Sequence, residues 1–160
     1  MPEYIMLIGL PGSGKSTWIK KFLAKANEPY TIISSDNIIE ELGGPEGLNY
    51  SEAFSKYSGF AMKEMNRRFA AAVQNNQNII HDQTNMNVKT RRGKLAKVPD
   101  SYDKKAVVFS IPDPELKRRL KNRESETGKH IPNHVINSMA ASYEAPSKAE
   151  GFSDIKYVRS

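Results

Sequence analysis

The sequence is that of an α/β protein with a mostly parallel sheet and helices on both faces. Short apolar runs of strand length alternate with longer segments whose apolar residues recur every three or four positions. A glycine-rich loop joins the first such run to the first such segment. No repeat of 20 to 50 residues and no low-complexity stretch divides the 160 residues, so residues 1–160 are expected to form a single domain.

Tyr4 to Ile8 is an apolar run closing on Gly9, as expected of a strand buried on both faces. Ser16 to Ala26 carries Trp18, Ile19, Phe22 and Leu23 on one helical stripe. Tyr30 to Ser34 is a second strand. After Ser51, the spacing of Phe54, Tyr57, Ala61, Met65, Phe69 and Val73 predicts a long helix, with Gly59 a point where it would bend or break. Asn78 to His81 is a third strand closing on Asp82, and Asn87 is placed to cap a basic helix reaching about Lys97. Ala106 to Ile111 is the strongest strand signal. Asp113 as N-cap and Pro114 at the first helical position open a helix containing Lys117 to Arg123, followed by a polar loop, Glu124 to Lys129. Pro132 opens the next helix, with Val135, Ile136 and Met139 inward, and Ile155 to Val158 is the last strand.

Composition narrows the chemistry. With no cysteine there is no disulfide, thiolate nucleophile or Cys-ligated zinc, and three scattered histidines argue against a His-built metal centre. No apolar run approaches the roughly 20 residues of a membrane span, and Met1 to Gly9 lacks the features of a signal peptide, so a soluble cytoplasmic protein with no membrane partner is expected. The net charge of +6 is uneven. Lys89 to Arg123 holds 12 basic and four acidic residues, a net of +8, leaving −2 elsewhere. Such a segment is either a solvated surface or the footprint of an anionic partner.

Gly9-Leu10-Pro11-Gly12-Ser13-Gly14-Lys15-Ser16 matches G-x-x-x-x-G-K-[ST] between a predicted strand and a predicted helix. Glycines at these positions let consecutive N–H groups turn toward a phosphate. The helix N-terminus at Ser16 and Thr17 adds its positive end, Lys15 reaches the terminal phosphates, and Ser16 can ligate Mg²⁺. Gly12, Ser13, Gly14, Lys15, Ser16 and Thr17 are therefore the expected ATP-binding residues, and the fold is a P-loop NTPase fold. Two carboxylates join them. Asp36 follows the second strand, where a base would face the reacting phosphate, although it is also placed to cap a helix ahead of Ile38 and Ile39. Asp82 ends the third strand, where a Walker-B-like carboxylate supports magnesium, a turn residue being the alternative.

Gly9 to Trp18, Asp82-Gln83-Thr84-Asn85, Tyr143-Glu144-Ala145-Pro146 and Ala149-Glu150-Gly151-Phe152 together resemble the kinase domain of the polynucleotide kinases, over nearly the whole chain. The first half is similar to the bacteriophage enzyme. The last third, with His130-Ile131-Pro132, is more similar to the animal enzyme and to the kinase-like region of nuclear ribonucleoprotein U proteins. The resemblance implies transfer of the γ-phosphate of ATP to 5′-hydroxyl ends of DNA or RNA. It implies Asp36 as general base, Lys15 and Ser16 as phosphate and magnesium residues, Arg123 as a phosphate-contacting arginine of a helical lid at about 114–131, and Asn85, Arg91 and Arg92 on the acceptor path.

The chain departs from that pattern in two places. Ser35 and Ile39 stand where the bacteriophage family has arginines, the second of which grips the acceptor strand. No D-x-D-G-T phosphatase signature is present, and His81 is assigned no role. Two alternatives stay open: a small-molecule kinase, and a nucleotide- and RNA-binding module without turnover. Asp36 argues against the second of these.

Overall fold

The computed structural model describes residues 1–159. Among these, five strands, β1 (Glu3–Ile8), β2 (Tyr30–Ile33), β3 (Asn78–His81), β4 (Asp103–Ser110) and β5 (Asp154–Arg159), form one sheet in the order β2-β3-β1-β4-β5. All neighbours are parallel, with Tyr4 opposite both Ile79 and Lys104 and Ile33 opposite His81. Parallel neighbours need crossovers. These run through α1 (Lys15–Lys25), α2 (Ser35–Gly43), α3 (Tyr50–Gln74), α4 (Val88–Leu95), α5 (Asp113–Thr127) and α6 (Asn133–Ala141).

The central place of β1 explains its composition, since it is flanked by strands and covered on both faces. Side chains alternate between the faces. Tyr4, Met6 and Ile8 pack with Ile38 and Ile39 of α2, Met65 and Phe69 of α3 and Leu95 of α4. Ile5 and Leu7 turn the other way and, with Val107 and Phe109, meet Trp18, Ile19 and Phe22 of α1. His81 is buried on the first face, its Nδ1 2.7 Å from Tyr4 Oη and its ring edge-on to Phe69. Burial pushes its pKa well below the ordinary value, so the ring is a neutral core residue.

Several boundaries differ from the sequence expectations. Helix α3 runs unbroken through Gly59, around which a side chain would meet only open space, so the glycine costs about 1 kcal/mol of propensity and disrupts no packing. Helix α5 starts one residue early. Pro112 occupies the N-cap position, and Asp113, inside the first turn, pairs with Lys117 at 3.1 Å instead of capping. The same helix continues past Arg123 to Thr127, whose Oγ1 donates to the Arg123 carbonyl at 2.7 Å, and Gly128 at φ 73° ends it. Glu124 to Thr127 is therefore helix and not loop.

The basic excess is also dispersed. Lys104 and Lys105 begin β4, at the opposite end of the sheet from the glycine loop, where Lys105 pairs with Glu3 at 2.5 Å. Arg118 and Arg119 both pair with Glu115. No helix among the described residues is long and apolar enough to cross a membrane.

Candidate active site

Because the strands are parallel, their C-terminal ends share one edge, and the loops leaving β1, β2 and β3 converge there. The loop after β1 is tied at its start by Gly9 N–H to the Thr84 carbonyl, 3.0 Å, and closed by Ser13 N–H to the Leu10 carbonyl, 3.1 Å. Gly12 and Gly14 have φ of 82° and 107°, a region that L side chains rarely adopt. At Gly12 a Cβ would also come within 3.3 Å of both Leu116 and Leu120 of α5, so this helix lies directly on the loop. Helix α1 then begins with no side-chain cap and no acidic residue in its first turn. Its N-terminal N–H groups and positive dipole end are thus left for an anion. Ser16 and Thr17 are exposed on that turn.

Lys15 bends back so that Nζ donates to the Gly9 carbonyl at 2.9 Å and the Gln83 carbonyl at 3.4 Å. Desolvation lowers its pKa to about 8, and the charges of Asp82 and Asp36 limit the fall. Asp82 is shifted the other way. Burial raises its pKa, Asp36 raises it further, and Lys15 only partly counters them.

Asp36 lies in the first turn of α2, but it is not the cap: Ser34 fills that position, its Oγ accepting from Asn37 N–H at 3.3 Å. The Asp36 carboxylate instead accepts from Tyr50 Oη at 2.6 Å and from Lys129 Nζ at 2.8 Å. Burial alone would push this carboxyl up. Lys129, Tyr50 and Lys15 together more than offset it and hold the group below its ordinary value, so Asp36 is an ionised carboxylate. The Lys129 ammonium also sits 4.4 Å from the centre of the Tyr50 ring. Arg123, half-buried on α5, is near enough for its charge to bear on Lys15, Asp82 and Tyr50. Lys15, Asp36, Asp82, Arg123 and Lys129 therefore form one electrostatic cluster at the sheet edge.

Residues 5–146 match the AAA domain family. The chain belongs to this family. This AAA domain has the fold of the P-loop kinases, and its relatives include proteins that handle RNA. It is 27% identical to the heterogeneous nuclear ribonucleoprotein U-like protein 2 of Mus musculus over 161 residues, covering 97% of this chain and 21% of that protein. It is 31% identical to the L-seryl-tRNA(Sec) kinase of Methanococcus maripaludis over 144 residues, 89% of this chain and 52% of that one. A solved structure of the Pnkp1/Rnl/Hen1 RNA repair complex contains a chain 26% identical to it, with a TM-score of 0.68 over 88% of this AAA domain and 43% of that chain. The chain thus spans about a fifth of the ribonucleoprotein and about half of the tRNA kinase.

Two residues expected on an acceptor path are engaged inside the AAA domain. Arg91 is 0% exposed, and its guanidinium donates to the Glu150 carboxylate at 2.8 Å, the Asn85 carbonyl at 3.0 Å and the Glu144 carbonyl at 2.9 Å. It clamps the segment at 144–150 onto the start of α4 and, being wholly buried, presents no surface to a strand. Asn85, at φ 50° and also buried, donates from Nδ2 to the Leu7 carbonyl at 2.7 Å and accepts from Lys94. Only Arg92 of the three is exposed.

Four residues near the site carry no signal in the spacing of the sequence. Tyr50 and Lys129 reach Asp36 from 14 and 93 positions away. Arg119 donates to the Gly12 carbonyl at 3.3 Å from 107 positions away. Lys94, whose pKa burial lowers to about 8, meets Asn85 across the loop after β3. The donor set suits a hard cation: the Ser16 hydroxyl and the Asp82 carboxylate offer oxygen ligands, as Mg²⁺ prefers. No cluster of three or more His, Cys, Asp or Glu exists among the described residues, so such an ion would depend on the nucleotide for the remaining ligands.

Proposed function

We propose that this AAA domain is an ATP-dependent 5′-hydroxyl kinase of DNA or RNA ends. The observation that carries the proposal is Asp36: an ionised carboxylate that caps nothing and shares a charge cluster with the lysine of the phosphate loop. The relatives that handle RNA support the acceptor class.

In this reading the loop N–H groups from Gly12 to Thr17 and the α1 dipole receive the phosphates of ATP. Lys15, released from the Gly9 and Gln83 carbonyls, moves onto the β and γ oxygens. Ser16 and Asp82 would hold Mg²⁺, which would supply charge neutralisation on the phosphates. Arg123 brings a further positive charge from the lid as α5 settles on the nucleotide. Asp36 accepts a hydrogen bond from the acceptor hydroxyl, aligns its oxygen with the γ-phosphorus, and takes the proton as the new O–P bond forms and the γ-phosphorus parts from the β,γ-bridging oxygen, which leaves with ADP. Lys129 must give up at least part of its hold on Asp36 for that hydroxyl to arrive.

The test is transfer from γ-labelled ATP with Mg²⁺ to 5′-hydroxyl oligonucleotides, mononucleotides, nucleosides and small alcohols offered side by side. Label on the oligonucleotides is the expected result. Label only on small molecules would replace this reading with a small-molecule kinase, and ATP binding with no transfer would replace it with a silent binding module.

A further inference from the structure

The acceptor needs a surface to lie on, and α2 does not provide one. Ile39 is 1% exposed in the core, and Ser35 is occupied by a hydrogen bond from Gln83 at 3.0 Å. The wall of the site facing Asp36 is the first turns of α3, whose Tyr50 hydroxyl bonds to its carboxylate. On this helix Phe54 precedes Ala61, Met65 and Ala72 by about two, three and five complete turns, so all four share one stripe. Ala61, Met65 and Ala72 are at most 2% exposed against the sheet, whereas Phe54 is 49% exposed. Helix α3 leads into the start of β3, so its own N-terminus projects beyond the C-terminal edge of the sheet. The stripe that is core further along is half exposed there, at Phe54.

Phe54 does not stand alone. Its ring lies 6.0 Å from that of Tyr50 at an angle of 31°, and the Tyr50 hydroxyl is the one bonded to Asp36. Lys129 completes the wall: its ammonium lies over the Tyr50 ring, and the adjoining Gly128 carbonyl accepts from Ser51 Oγ at 2.5 Å. An apolar aromatic surface with a cation above it, continuous with the proposed base, matches the chemistry of a nucleotide chain end, in which a planar base and a phosphate flank the sugar.

We infer that Tyr50 and Phe54 form the platform on which the terminal nucleobase of a nucleic-acid acceptor stacks, holding the attached 5′-hydroxyl at Asp36. This rests on the kinase reading above and adds to it the part of the acceptor that is recognised. Since every base has a π-face, the platform accepts all four termini, and a terminus without a base binds poorly.

The test compares acceptor KM for single-stranded oligonucleotides with either a base-bearing or an abasic 5′-hydroxyl residue, in wild type, Phe54→Ala and Phe54→Trp, alongside thermal melts. Wild type should favour the base-bearing end, Phe54→Ala should raise its KM at least about 5-fold while leaving the abasic KM in place, and Phe54→Trp should restore the preference. A binding measurement backs this up. Trp18, the single native tryptophan, packs against the other face of the sheet, so a fluorescence change on adding oligonucleotide to Phe54→Trp, beyond any seen with wild type, reports stacking at the platform. Transfer by wild type with no change of KM in Phe54→Ala, an equal rise for the abasic end, or an unquenched Phe54→Trp would each overturn the platform alone. Absence of transfer to any oligonucleotide by wild type would overturn the kinase reading itself.

Discussion

Arg91→Ala separates two roles that the amino-acid sequence alone leaves indistinguishable. A nucleic-acid contact would cost binding and little else, whereas the structure makes Arg91 a clamp. Its guanidinium is 0% exposed, pairs with a Glu150 side chain that is 9% exposed, and serves the carbonyls of Asn85 and Glu144. Truncation leaves a buried carboxylate with one remaining donor, Ser147 N–H at 2.8 Å, and leaves both carbonyls short of a partner. Breaking a buried pair from one side costs about 3 to 5 kcal/mol, which already covers much of the loss because these groups act as a unit.

Against a total of about 5 to 15 kcal/mol, that is a large share. At about 2 to 4 °C per kcal/mol for a chain of this size, the melting temperature should fall by about 6 to 20 °C. Arg92→Ala, one residue away on the exposed side of α4, is the control and should stay within about 0.5 kcal/mol. Scanning calorimetry and urea titration measure both variants. An Arg91→Ala protein melting within about 2 °C of wild type would refute the clamp, and with it the assignment of the 144–150 segment as a structural tie.

Three further outcomes are expected. Asp36→Asn should slow phosphate transfer about 10² to 10⁴-fold while ATP affinity stays near wild type and melting falls only by the small loss of the ion pair with Lys129, because Ser34 does the capping; a collapse of the fold that accounts for the lost rate would assign Asp36 to structure instead. Lys129→Met removes the cation that most lowers the Asp36 pKa, so the acid limb of the pH–rate profile should move to higher pH. By the same linkage, wild type owns the stability of this pair above the ordinary carboxyl range and loses it as pH falls through the depressed Asp36 pKa; an acid limb that stays in place in Lys129→Met would rule out Asp36 as the titrating group. Lys15→Met should abolish transfer. Its stability relative to wild type should depend on pH, since the folded-state pKa of Lys15, about 8, lies below the ordinary 10.5: wild type gains on the variant as pH rises through this interval, and parallel stability curves would contradict the burial of the ammonium.

Much of the architecture could be read locally. The run from Tyr4 to Ile8 has to be a strand covered on both faces, and the glycine loop that follows has to turn where only glycine is unstrained, so β1, the phosphate loop and α1 follow from short-range chemistry. Asn87 also caps α4 as its position suggests, through Thr90 N–H at 2.9 Å. Element ends were less legible. Whether α5 stops at Arg123 or Thr127 depends on a Thr127 hydroxyl bond and on Gly128 taking a left-handed conformation, and both outcomes suit the same polar residues.

The site divides along the same line. A contiguous motif marked the glycine loop between β1 and α1, because the glycines that shape it are neighbours in the chain. The environment of Asp36 was decided by Tyr50 and Lys129, which arrive from α3 and from the loop beyond α5. Arg91 was decided likewise, its charge turned inward by Glu150, 59 positions away. A charged side chain is written identically whether it meets water, a phosphate or a buried carboxylate. Only the packing of distant segments determines which of these is cheapest for it, and that information does not exist at any single stretch of the chain.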